Sequence, residues 1–223
     1  MSSGDSRVIQ SNQTGIHDNL LATVRRHLKH PFQAPYAEHS LALFEELKAW
    51  READGRPLVL DSCCGVGEST ANLARMHPEA LVLGLDKSAA RISKHDSYNS
   101  GLENYRVARG NLNDLWRLMV EDGWAPTHHY ILYPNPWPKS SHLQRRWHGG
   151  PLFPSILALG GQLELRSNWQ LYLEEFSAAL AEAGHRGTCE PLPEAPPLTP
   201  FERKYGQSGQ ALFRLRCRLP TSG

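Results

Sequence analysis

The chain has 223 residues and a formal net charge of +1, with 40% hydrophobic and 21% charged residues. These values predict one globular α/β domain and exclude a disordered chain or a polycation, so any nucleic-acid site must come from local clustering of charge. Because no apolar run reaches the ~18 residues of a membrane span and the amino terminus lacks a signal peptide, we expect a cytoplasmic protein without a membrane segment.

Residues 1–54 predict a helical extension. In the segment HDNLLATVRRHLKH the apolar residues share one helical face: Leu20, Leu21, Val24 and Leu28. Pro31 and Pro35 end this helix. The segment AEHSLALFEELKAW repeats the helical period with three apolar residues: Leu41, Phe44 and Leu47. We therefore divide the chain into a helical extension at 1–54 and a second domain at 55–223.

Residues 55–223 alternate between short apolar runs and helical segments. The apolar runs that predict strands are PLVLDS, ALVLGLD, YRVARGN, HHYILY, GQLELRS and ALFRLRCRL. Helices are expected at ESTANLARMH, SAARISKHD, NDLWRLMVEDG, PLFPSILALG and NWQLYLEEFSAALAEAG. This alternation predicts a parallel sheet with helices on both faces. Before the last strand lies PLPEAPPLTPFERKYGQSG, which is too long and proline-rich for a simple turn and is typical of a functional loop.

The turn after the first strand predicts a cofactor site. Its glycines, Gly65 and Gly67, allow a ligand to approach the backbone, and the following helix offers free N–H groups. Asp86 closes the next strand, where a carboxylate can bind a ribose diol. A dinucleotide site favours a third glycine where this chain has Thr70, and it places phosphate where Asp61 places a carboxylate. S-adenosylmethionine instead carries an amino group and a sulfonium, which suit an acid.

Two alternatives to S-adenosylmethionine stay open for this turn. One is a nicotinamide or flavin nucleotide, and the other is a tight strand–helix turn without any ligand, since a G-x-G alone is a weak signal. Because ligands bind beyond the carboxyl ends of the strands, Asn111 after the third strand can contact the adenine edge. The loop after the fourth strand would then lie beside the transferable methyl group.

That loop reads YPNPWPKSSHLQRRWHG and combines stiffness, aromatic surface and positive charge. Its three prolines fix φ angles and pre-order Asn135 and Trp137 at the strand end. Trp137 offers a flat face on which a nucleobase can stack. Phosphate contacts are expected from the basic residues Lys139, Arg145 and Arg146. The alternative is a surface loop with a solvated basic turn.

Several motifs together resemble the tRNA (guanine-N(7)-)-methyltransferase family over about residues 57–218. They are DSCCGVG, GLD, PNPWPKSSHLQRR, LRSNWQLY and TPFERKYGQSG. The resemblance implies a Rossmann-like class I S-adenosylmethionine-dependent methyltransferase with a mostly parallel seven-stranded sheet, acting on tRNA. It implies cofactor contacts at Asp61, Asp86 and Asn111, and a catalytic or base-binding role for Asn135. The implied substrate contacts are Lys139, Asn168, Thr199, Phe201, Glu202 and Arg203.

The chain departs from the family at positions close to the expected chemistry. The family usually has Asp where this chain has Asn135 and Asn168, and Gly where it has Cys63. Two further functions therefore stay open: methylation of another RNA base or a small molecule, and RNA binding without catalysis. We expect buried apolar roles for the four cysteines and structural roles for His128 and His129, without a metal site. The sequence is compatible with a monomer or a homodimer.

Overall fold

The structure is a computed structural model and describes residue 6 and residues 8–221. Its helices are α1 (Leu20–Lys29), α2 (Glu38–Asp54), α3 (Glu68–Met76), α4 (Ala89–Ile92), α5 (Leu112–Glu121), α6 (Phe153–Leu159), α7 (Gln170–Glu182) and α8 (Pro200–Gln207). Its strands are β1 (Leu58–Ser62), β2 (Leu81–Asp86), β3 (Tyr105–Arg109), β4 (His128–Leu132), β5 (Gly161–Ser167), β6 (Thr188–Pro191) and β7 (Phe213–Leu219). Short 3₁₀ turns lie at His95–Tyr98, Ser140–Arg145 and Trp147–Gly149.

The seven strands form one sheet in the order β3-β2-β1-β4-β5-β7-β6. Strands β1 to β5 pair in parallel, whereas β7 runs antiparallel to both β5 and β6. The carboxyl ends of β1 to β5 therefore meet at one edge of the sheet, and the chain reverses its strand order between β1 and β4. Such an edge is where ligands bind in doubly wound sheets. The predicted fold class is confirmed by this topology.

The two amino-terminal helices pack on the same core as the sheet. Their fully or nearly buried apolar residues are Leu20, Val24, Phe44 and Leu47. The helices were predicted correctly, but part of each predicted apolar face is exposed: Leu21 at 37%, Leu28 at 37% and Leu41 at 42%. These helices contact the core along a narrower stripe than their sequences predict. The division at residue 54 stays a prediction.

The long segment between α7 and β7 is more regular than a functional loop. It holds β6, which pairs with β7, and α8, which Thr199 caps by accepting a hydrogen bond from the Glu202 amide at 2.9 Å. Strand β6 was missed because its four residues are half-buried or exposed at the edge of the sheet. The segment predicted as one helix from residue 88 is short as well, because α4 ends at Ile92 and a 3₁₀ turn follows.

Among the described residues, no helix is both long enough and apolar enough to cross a bilayer.

Candidate active site

The turn between β1 and α3 is fixed by strained backbone and by hydrogen bonds to β2. Gly65 and Gly67 have φ angles of +62° and +79°, and Cys63 adopts +64°, a region that favours glycine. The amide of Cys64 donates to Leu85 O at 3.0 Å. The amide of Gly65 donates to Asp86 Oδ2, also at 3.0 Å. These hydrogen bonds fix the turn at the carboxyl ends of β1 and β2.

Asp61 is a fully buried carboxylate at the base of this turn. Its Oδ2 accepts hydrogen bonds from Ser69 Oγ and Thr70 Oγ1, each at 2.7 Å. Its Oδ1 is buried and has no hydrogen-bond partner among the described residues. Burial raises the pKa of Asp61 to about 6, although the two hydroxyl hydrogen bonds oppose this shift. An unpartnered buried carboxylate oxygen is a site for a cationic group.

Asp86 organises the ends of β2 and β3. Its Oδ2 accepts from the Gly65 amide and from Arg91 Nη1 at 3.3 Å, while its Oδ1 accepts from the Ser88 amide at 2.8 Å. The Asp86 carbonyl accepts from Gly110 at 3.0 Å, which brings the neighbouring Asn111 to the same edge. Asp86 therefore fixes the shape of the cleft and keeps part of its acceptor capacity for a ligand.

Asn111 is exposed and serves as the N-cap of α5. Its Oδ1 accepts from the Asn113 amide at 3.2 Å. The side-chain amide nitrogen of Asn111 has no described hydrogen bond and can donate to a ring nitrogen. Three of the predicted cofactor-binding regions, at the ends of β1, β2 and β3, therefore lie side by side at one edge of the sheet, and we call this edge the cleft.

The loop after β4 starts at the same edge of the sheet, because β4 pairs in parallel with β1. Tyr133 and Trp137 have positive φ angles of 50° and 46°, which is unusual for aromatic residues. Asn135 is exposed, and its Oδ1 accepts from the Trp137 amide at 3.3 Å, which closes a tight turn around Pro136. Strained residues held in this way are typical of functional sites.

Helix α8 lies over the same edge of the sheet. Glu202 pairs with Arg166 of β5 at 2.9 Å, and Arg203 pairs with Glu68 of α3. The Leu198 carbonyl accepts from Asn72 Nδ2 of α3 at 3.0 Å. These contacts join the start of α8 to the helix that carries the glycine turn, so α8 is part of the cleft's rim.

Comparison with known proteins agrees with this geometry. The family model described as "Putative methyltransferase" matches residues 55–215. A tRNA (guanine-N(7)-)-methyltransferase of Leifsonia xyli subsp. xyli is 30% identical over 173 residues, which cover 73% of this chain and 76% of the relative. The chain belongs to the tRNA (guanine-N(7)-)-methyltransferase family. The family predicted from the motifs is thus confirmed.

A second relative supports this assignment, and one solved structure shares the fold. The tRNA (guanine-N(7)-)-methyltransferase of Verminephrobacter eiseniae is 34% identical over 170 residues, covering 70% of this chain and 60% of the relative. Among solved structures, a 16S rRNA (adenine(1408)-N(1))-methyltransferase with its cosubstrate superposes with a TM-score of 0.57 at 14% identity. The superposition covers 79% of this chain and 92% of that one. The fold and S-adenosyl-L-methionine as cofactor are confirmed, and the chain is a methyltransferase.

The methyltransferase site differs from the sequence prediction at Arg146. This residue was expected to contact phosphate, but its side chain is fully buried and pairs with the buried Glu175 at 2.5 Å. The prediction is wrong because a guanidinium enclosed in this way cannot reach a polyanion at the surface. Lys139 and Arg145, in contrast, are exposed beside the cleft.

Trp137 is half-buried, and its ring has two close neighbours. The Arg145 guanidinium carbon lies 4.8 Å from the ring centre, and His142 meets the ring edge-on at 5.5 Å. Base stacking on Trp137 stays a prediction, and a base would share this ring with Arg145.

Several of the predicted substrate contacts in and around α8, and Asn168 after β5, also have structural surroundings. Thr199 and Glu202 are nearly buried, because Thr199 caps the helix and Glu202 binds Arg166. Phe201 is 43% exposed, and Asn168 Nδ2 donates to Gln210 Oε1 at 2.8 Å. Contact of these residues with the target nucleotide stays a prediction.

Sequence reasoning missed the residues that position the predicted ones. Ser69 and Thr70 orient Asp61, and Arg166 orients Glu202. Thr70 was used only as evidence against a dinucleotide site. A signal was available, since a hydroxyl pair in the first turn of the helix can reach back to an acid on the preceding strand.

Proposed function

We propose that this methyltransferase forms N(7)-methylguanine in tRNA, with the cleft at the ends of β1, β2, β3 and β4 as its active site. The observation that carries this proposal is the buried Asp61 carboxylate with an unpartnered Oδ1 on β1, next to β4, the strand after which the strained loop with Asn135 begins. The relatives are named for this reaction.

The residues of the cleft fit S-adenosylmethionine. Asp61 would hold the ammonium group, because its Oδ1 is buried at the end of β1 and has no hydrogen-bond partner among the described residues. Asp86 and Asn111 would hold the ribose and adenine ends, with Gly65 and Gly67 allowing close approach of the backbone. When bound, the cofactor supplies an electrophilic methyl group on a sulfonium.

The chemistry at guanine N(7) requires alignment more than a base. This nitrogen has a free lone pair and no proton to lose, so the protein must hold the base in line with the methyl group. Asn135 would supply that orientation through its amide, on a loop stiffened by prolines. The product base gains positive charge, which the family's usual Asp would stabilise and Asn135 cannot.

Contact with the tRNA backbone would come from exposed cations beside the cleft. Lys139 and Arg145 lie on the same loop as Asn135, so phosphate binding there would orient the nucleotide toward the methyl group. The exposed Phe201 on α8 would contact the nucleotide from the other side of the rim.

Methyl transfer to unmodified tRNA, followed by nuclease digestion and mass spectrometry, tests this function. N(7)-methylguanosine is the expected product, and Asp61→Asn should reduce its formation. A methyl group on an exocyclic amine or on another base would contradict the proposal, as would cofactor binding without transfer to any RNA. A cytoplasmic location, the absence of a metal and the oligomeric state stay predictions.

A further inference from the structure

Arg146 and Glu175 form a buried ion pair beneath the loop that carries Asn135. Both side chains have 0% exposure, and Arg146 Nη1 donates to Glu175 Oε2 at 2.5 Å. The guanidinium also lies over the Trp169 ring, 5.1 Å from its centre. Burial of an ion pair costs free energy unless every donor and acceptor has a partner. The other hydrogen bonds of Arg146 and Glu175 therefore identify the segments that this pair fixes in place.

The two remaining sides of the Arg146 guanidinium bind the backbone of the loop. Nε donates to the Trp137 carbonyl at 3.1 Å, and Nη2 donates to the Lys139 carbonyl at 3.2 Å. These carbonyls flank Pro138, immediately after the residue whose φ is +46°. A single side chain thus fixes the loop at its strained residue, Trp137, and again two residues later at Lys139, close to Asn135.

Glu175 extends the same network to the amino-terminal segment. It accepts from His148 Nε2 at 2.9 Å, from the His17 amide at 2.9 Å and from Gln13 Nε2. That segment returns to the loop, because Ser11 Oγ donates to the Pro138 carbonyl at 2.5 Å. The loop is therefore bound by Arg146 and also by the amino-terminal segment, which is fixed in place by hydrogen bonds to the same Glu175 carboxylate.

We propose that Arg146, paired with Glu175, is a positioning residue that holds the loop of residues 134–145 in its strained, methyl-facing shape. Its contribution is geometric: a planar guanidinium can bind a carboxylate and two carbonyls at once, whereas an ammonium cannot reach all three. This inference rests on the proposed function for its catalytic part and on geometry alone for its conformational part.

The chain offers a matched control in Arg117 of α5. Arg117 is also nearly buried, pairs with Asp114 at 3.2 Å, donates to the Ala34 carbonyl at 2.8 Å, and lies over the Tyr36 ring at 4.1 Å. It anchors a segment that the site does not use. Arg117→Lys should therefore reproduce the structural cost of losing a buried guanidinium without affecting the loop.

Hydrogen exchange provides the test that does not depend on activity. Arg146→Lys should speed amide exchange in residues 134–145 and leave S-adenosylhomocysteine affinity unchanged, whereas Arg117→Lys should leave exchange in that loop unchanged. If Arg146→Lys does not fold, Glu175→Gln should give the same local effect. Unchanged loop exchange in the folded variants would overturn the proposal, even if the parent shows no methyl transfer.

Kinetics on unmodified tRNA provide the second test. Arg146→Lys should lower kcat by roughly 10- to 100-fold with little change in KM, as expected when a reacting group is misplaced by about 1 Å. Arg117→Lys should change kcat far less at a temperature where both variants are folded. A loss of kcat equal in the two variants would show that Arg146 acts only on stability. Failure of the parent to make N(7)-methylguanosine would count against the proposed function instead.

Discussion

Replacement of Asp61 by Asn tests the electrostatics of the cleft. The pKa of this carboxyl rises from 3.8 to about 6 because it is buried. Because its pKa is raised, the Asp61 carboxyl keeps its proton to a higher pH in the folded protein than in the unfolded chain. Its ionisation therefore lowers the free energy of unfolding as the pH rises from about 4 through 6. This pKa shift lowers the free energy of unfolding by about 3 kcal/mol once the pH is well above 6. Asp61→Asn removes the titration but keeps an oxygen for Ser69 and Thr70.

The difference in unfolding free energy between Asp61→Asn and the parent should therefore depend on pH. Between pH 4 and pH 7.5 it should move by about 2.5 kcal/mol in favour of the variant, whatever constant packing cost the amide adds. Urea unfolding of both proteins without cofactor, across this range, measures the change. A difference that stays constant with pH would refute the view that burial of this carboxylate outweighs its hydrogen bonds to Ser69 and Thr70.

The same substitution should weaken cofactor binding. A hydrogen bond to a charged group contributes ~1.5–3 kcal/mol, so the affinity for S-adenosylhomocysteine should fall roughly 10- to 100-fold. In the parent, affinity should decline below pH 6, because only the ionised carboxylate attracts an ammonium. Calorimetry that finds equal affinity in the variant would mean that Asp61 serves the fold and does not contact the ligand.

Three further outcomes are expected. Replacing Lys139 and Arg145 together by Gln should weaken tRNA binding and reduce the slope of log affinity against log salt by about 2, measured by filter binding at several salt concentrations. Asn135→Asp should keep or raise methyl transfer, whereas Asn135→Ala should lose it in the mass-spectrometric assay, and an active Ala variant would exclude a catalytic role. Gly84→Ala should destabilise the protein by ~1–3 kcal/mol, because the new Cβ would lie 2.1 Å from Thr70 Oγ1; thermal melting tests this, and an unchanged midpoint would contradict it.

The parts of the fold that could be predicted are those whose burial is uniform. Strands β1 and β2 are buried at every residue, and their apolar runs identified them without ambiguity. Strand β6 pairs only at the sheet edge, so its residues carry no comparable pattern. In α1, the exposure of Leu21 and Leu28 could not be predicted either. How much of an apolar helix face is buried depends on the element that packs against it.

The candidate site was predictable where chemistry follows directly from a strand end. Asp61, Asp86 and Asn111 lie at or just after the carboxyl ends of consecutive strands, and parallel pairing alone brings them together. Arg145 and Arg146 show what sequence could not decide. They are neighbours of identical chemistry, yet Arg145 is exposed and Arg146 is buried on Glu175, 29 residues further along the chain in α7. Only the tertiary fold brings that carboxylate under the loop.

The amino-terminal segment has a practical consequence for handling the enzyme. Ser6 contacts the end of α8, where its amide donates to Ser208 Oγ at 3.3 Å and its carbonyl accepts from Gln210 Nε2 at 2.8 Å. An affinity tag joined ahead of Ser6 would therefore emerge beside the rim of the cleft, where we propose that the RNA docks. The last residues of β7 pair with Gly161 at the start of β5, on the opposite side of the molecule. A carboxyl-terminal tag would leave the docking face clear for binding and kinetic measurements.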